Sequence, residues 1–147
     1  MTTTAAQLLR EGRLERVPVD VAGAWERIDE AERHLRSSAS LASSDESIAY
    51  VALYDAAGKA VTAHMLAHGY RATNRVDAHQ AVVLYAEATL AQGTAAPSVT
   101  AFDRMRRLRN RSEYGHQVIG AQVLAADLVH ARAIVAAVET DLPPRAS

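Results

Sequence analysis

The chain has 147 residues, a formal charge of −1 and 49% apolar residues, much of that fraction Ala and Val; this is the length of one domain, enough to bury a helical core. The near-neutral balance excludes a globally basic nucleic-acid binder and an acidic tail, so an electrostatic function must come from local asymmetry. With no cysteine, disulfides, thiolate metal sites and cysteine nucleophiles are excluded.

The start, Met1-Thr2-Thr3-Thr4-Ala5-Ala6, lacks the basic region and long apolar stretch of a signal peptide. No uninterrupted apolar run reaches the roughly 18 residues that read as a membrane span. The expectation is a cytoplasmic protein with no membrane partner.

A short helical pattern covers Ala5 to Leu9, followed by Gly12 and Val17-Pro18-Val19. Asp20 is placed to cap the next helix by accepting a bond from an orphan N–H. Val21, Trp25, Ile28, Ala31, Leu35 and Ala39 then recur at three- and four-residue spacing, which predicts an amphipathic helix of about 20 residues. Ser43-Ser44-Asp45-Glu46-Ser47 interrupts it and offers a second N-cap with acids in the first turn. A third helix is predicted from Asp45 to His68. It is apolar around much of its circumference, so it is expected to be the central, most buried one. Gly69 is placed as its C′ stop.

The polar connector 70–76 leads to Asp77, the expected cap of a fourth helix that ends near Gly93. Ser98 is expected to cap a fifth, running through Phe102, Met105 and Leu108 to about Tyr114, with Gly115 weakening it. A sixth is predicted from Gly120 to Asp141, and the tail 142–147 is expected to fray. No segment alternates with period two, so no strand is expected. The fold class is therefore all-α: an up-and-down helical bundle of four main helices with additional short helices. It forms a single domain over 1–147, with its core at about 20–141.

The most unusual stretch is 104–116, where five of the eight residues from Arg104 to Arg111 are arginine. Each helical residue advances about 100°. Ala101, Met105 and Leu108 therefore mark one apolar face with Phe102 at its edge. Arg104, Arg107 and Arg111 lie to one side, and Arg109 falls beside Phe102. His116 is seven residues after Arg109: if the helix continues through Gly115 the two project about 20° apart on one face, and if it breaks there the His can fold back closer still. An arginine beside apolar surface needs a partner, and Glu113 stands four residues on. By itself, an arginine run at helical spacing is most often a solvated face.

Arg109-Asn110 followed by His116 after six residues resembles the signature of the HEPN superfamily: an Arg, a polar residue, then a His at this interval. Arg111 to His116 gives a second match with four intervening residues. The stretch 49–60, Gly69-Tyr70-Arg71, His79 and Phe102-Asp103-Arg104 extend the likeness over about 45–140. The resemblance implies a dimeric helical bundle, often a metal-independent endoribonuclease of toxin–antitoxin or phage-defence systems. An antitoxin or nucleotidyltransferase is the implied partner. Several catalytic relatives carry a Tyr two positions after the His, where Val118 stands here. The resemblance thus leaves two readings, a nuclease or a non-catalytic module that binds RNA, a nucleotide or a partner protein.

For the nuclease, Arg109, His116 and Asn110 are the implied catalytic residues. Attack of a ribose 2′-OH on its phosphate needs a base near neutral pKa, which His supplies. Charge on the phosphate oxygens needs a fixed cation, and a planar Arg fork fits it. Arg106, Arg107 and Arg111 would track the RNA backbone, and Tyr114 would stack a base.

Other features are weaker. His64 and His68 stand at i and i+4, a spacing that can hold one metal, but the sequence presents no third ligand. No metal and no cofactor are expected. His79 is expected to be structural or to line the site, and Asp55 and Lys59 to pair at i,i+4 inside the bundle.

Overall fold

In the computed structural model, residues 3–74, 77–114 and 118–145 are described, the side chains of Glu113 and Tyr114 apart. The element order is α1 (Ala5–Arg10), β1 (Leu14–Arg16), α2 (Val21–Leu41), α3 (Glu46–Ala67), β2 (Tyr70–Ala72), α4 (Ala78–Thr89), a 3-10 turn (Gly93–Ala95), α5 (Ala96–Tyr114) and α6 (Ala121–Asp141). The all-α expectation holds. α2, α3, α5 and α6 form the bundle, and α3 packs against each of the other three.

Local chemistry sets most of the boundaries. Asp20 and Asp45 each accept a bond from the backbone N–H three residues on, Gly23 at 2.8 Å and Ile48 at 3.2 Å, satisfying an orphan donor of α2 and of α3. α3 is the central helix: Ala49, Tyr50, Leu53, Ala56, Ala57, Ala60, Val61 and Ala63 are all fully buried. Its alanines let α2 approach closely, with Ala24 and Ala31 on the facing side, also fully buried. Gly69 ends it with φ +79, a left-handed conformation that glycine adopts without a Cβ penalty.

Four expectations are corrected. First, two short strands exist: β1 pairs antiparallel with β2, Leu14 opposite Ala72 and Arg16 opposite Tyr70. Arg71 Nη2 and Glu15 Oε1 meet across them at 2.7 Å. Three-residue strands are too short to display alternation. Second, α5 begins at Ala96, with Pro97 in its first turn, where a missing N–H costs nothing. Ser98 lies buried and shares a 2.9 Å hydrogen bond with His130 Nδ1 on α6.

Third, Lys59 pairs at 3.0 Å with Glu30 of α2 rather than with Asp55, because the neighbouring helix brings a carboxylate to it. Fourth, the tail is docked as far as Arg145. Leu142 is buried, Trp25 Nε1 donates to the Pro143 carbonyl at 2.9 Å, and Arg145 stacks on Trp25 while pairing with Asp29 at 2.6 Å. Asp77 precedes α4 as expected, but its side chain makes no capping bond; it pairs with Arg13 at 3.1 Å.

Among the described residues, α6 has the length and mean hydropathy of a membrane span, and about one third of it is buried. Asp127, His130, Arg132 and Glu139 interrupt it, and its inner side packs on α3.

Candidate functional site

The arginine-rich half of α5 is fixed to the bundle by its apolar face. Phe102 and Met105 are fully buried, Leu108 nearly so, and the Phe102 ring lies 5.6 Å from Tyr54 of α3. That anchoring sorts the arginines into two groups. Arg104, Arg107 and Arg111 are exposed, whereas Arg106, Arg109 and Asn110 are half-buried. Both half-buried arginines act electrostatically on Tyr54 of α3. Burial, the largest cause, pushes its phenol up to about 12, while the charges of Arg106 and Arg109 act in the opposite direction.

Ion pairs narrow the choice of functional cations. Arg104 makes a fork to Asp127 of α6, with bonds of 3.1 and 2.8 Å. Asp127 is 1% exposed and also accepts from the Tyr50 hydroxyl at 2.7 Å. Burial, followed by this bond to a carboxylate, raises the Tyr50 phenol far above its ordinary range. Arg104 is therefore part of the scaffold.

Asp103 binds Arg106 at 2.8 Å and Arg107 at 3.4 Å. A phosphate reaching either arginine competes with that carboxylate. Arg109, Asn110 and Arg111 stand together in the last two turns of α5. The expected base-stacking Tyr114 and the expected ion-pair partner Glu113 lie in α5, but their side chains are outside the described residues, as is the whole of His116.

Tyr54 also joins this helix to a cavity of about 340 Å³. Arg27, Asp55, Gly58, Lys59, Thr62, Ala72, Ala78, His79 and Val82 line it with Tyr54. His79 is among the residues that line this cavity. The sequence does not single out Tyr54, because no local pattern marks a tyrosine shared by a helix interface and a cavity.

A second polar cluster closes the far end of α3. His64 is buried, with Nδ1 2.8 Å from the Tyr85 hydroxyl and Nε2 2.6 Å from Asp141 Oδ2. Burial, the foremost cause, lowers its pKa, against the hydrogen bond to Asp141, which raises it. His68 stacks on His64 at 4.1 Å and bonds the His64 carbonyl through Nδ1 at 2.8 Å.

No family model, curated protein or solved structure matches this chain.

Proposed function

We propose that the chain is a HEPN-like helical module that engages RNA through the C-terminal half of α5 and cleaves it without a metal, as a homodimeric toxin or defence effector. One observation carries this reading: a single helix, locked by Phe102 and Met105, holds Arg109 and Asn110 half-buried, with the Arg109 charge acting on Tyr54, and turns Arg107 and Arg111 to solvent. The first pair is restrained, as a group that stabilises a transition state must be. The second pair is exposed, where a phosphate chain can reach it.

In this reading His116 takes the 2′-OH proton. The Arg109 fork neutralises the charge that develops on the phosphate, and Asn110 orients one of them. A second reading, a non-catalytic binding module, is favoured by Asp103, whose carboxylate already occupies Arg106 and Arg107.

Cleavage of RNA with a chelator present separates the two. Arg109→Ala should lower the rate by about 10²–10³ and weaken RNA binding only modestly; His116→Ala should be inactive and harmless when expressed. Arg107→Ala and Arg111→Ala should weaken binding and flatten its salt dependence by about one phosphate contact each. Wild type and His116→Ala behaving alike, with no RNA cut, would leave the binding module. If Arg111 proves catalytic and Arg109 a phosphate contact, the four-residue register to His116 is the working one.

A further inference from the structure

We propose that His64, His68 and Asp141 form a binding site for one divalent transition-metal ion of the zinc type, apart from the α5 arginines. One ligand atom from each of the three residues lies within 4.8 Å of the others. Imidazole nitrogen and carboxylate oxygen are the donors such ions take, with bonds of about 2.0–2.2 Å. In sequence the i,i+4 histidine pair had no third donor; the fold brings one from a residue 77 positions away.

The two imidazoles are already oriented for the task. A carbonyl only accepts, so the 2.8 Å contact of His68 Nδ1 with the His64 carbonyl puts the ring proton on Nδ1. That leaves the Nε2 lone pair of an exposed residue to bind an ion. His64 Nδ1 faces the Tyr85 hydroxyl at 2.8 Å, the type of outer partner that fixes a ligating histidine. When Nε2 of His64 binds the ion, its proton resides on Nδ1 and is donated to the Tyr85 oxygen, so the ring stays neutral.

Coordination replaces the 2.6 Å hydrogen bond between His64 and Asp141. The two atoms must separate to roughly 3.4 Å, the spacing of ligands around a tetrahedral ion with bonds of this length. Asp141 can supply that movement, being the last residue of α6 with a side chain 58% exposed. The histidines occupy the C-terminal end of α3 and Asp141 that of α6. Both helix ends carry partial negative charge, which favours a cation. Three protein ligands leave a fourth position for water.

The test is titration of chelator-stripped full-length protein with Zn²⁺, and with Co²⁺ followed by its visible absorption. The expected result is saturable binding of one ion per chain, with a dose-dependent rise in melting temperature. His68→Ala and Asp141→Asn alter exposed groups, so both should fold, lose at least tenfold in affinity and lose most of the melting shift. Absence of saturable binding at micromolar ion overturns the proposal. So does unchanged affinity in both variants, which would place the ion elsewhere, for example at His79 or His130. Neither outcome bears on Arg109, whose test runs in chelator.

Discussion

A carboxylate at 1% exposure survives in this core because its bonds are supplied from two other helices. Asp127 receives the Tyr50 hydroxyl from α3 and the Arg104 fork from α5, and a buried charge persists only when so paired. Glu139 of α6 is solved differently. A hydrogen bond with Glu32 of α2 is the largest cause and burial the next in pushing its carboxyl up to about 7 from an ordinary 4.5; two carboxylates that meet favour sharing one proton. The folded-state pKa lies above the unfolded one, so the stabilising contribution is complete below about 4.5 and is lost as pH rises through 7. Glu139→Gln should therefore raise the melting temperature at pH 8 and leave it nearly unchanged at pH 4. An equal gain at both values would show that the two carboxylates do not share a proton. At this scale the sequence was informative where geometry is local. The 100° step placed Arg109 beside the apolar stripe and Arg107 and Arg111 outside it, as observed. The pairs Arg104–Asp127 and Glu30–Lys59 join different helices, and no spacing within one helix announces them.

Helix boundaries were legible wherever a cap or a glycine marks them, as at Asp20, Asp45 and Gly69. The β1–β2 pair was not. Its three-residue strands come together only because α2 and α3 run out and back between them, carrying Tyr70 to Arg16. Gly69 controls that return. Its φ is +79, its N–H donates to the Leu66 carbonyl and its own carbonyl accepts from Val17 N–H at 3.0 Å. A Cβ there would stand 3.0 Å from the Val17 carbonyl oxygen and 3.2 Å from Val19 Cγ2. Gly69→Ala should cost about 1–2 kcal/mol from left-handed strain alone, with crowding of Val17 in addition, measurable by urea unfolding. A neutral result would mean that the α3 end relaxes without disturbing the strand pair. The arginine helix and the cavity differ in the same way: the Arg109-Asn110 helix was visible in sequence, while the cavity beside Tyr54 depends on α2, α3, α4 and β2 meeting.

At the scale of the molecule, the remaining question is what covers α6. Its inner side packs on α3, but Ala125, Ala126, Val129 and Ala136 are exposed, Val129 at 62%. Steps of 100° place these four on one side of the helix, with exposed Arg132 beside them. Small side chains permit close helix approach, and we propose α5 and α6 as the helices through which a homodimer would form. In a two-fold interface one substitution appears twice, so Val129→Glu would place two carboxylates in the buried area. The monomer should tolerate the change because the side chain already meets water. Light scattering should then find wild type dimeric at micromolar concentration and Val129→Glu monomeric, with the same helical circular dichroism. If the Arg109 site is shared between chains, cleavage by the variant should fall with its dimer fraction. A wild type that is monomeric at micromolar concentration, or a variant that dimerises as well as wild type, would rule out this face as the contact that brings two α5 arginine segments together.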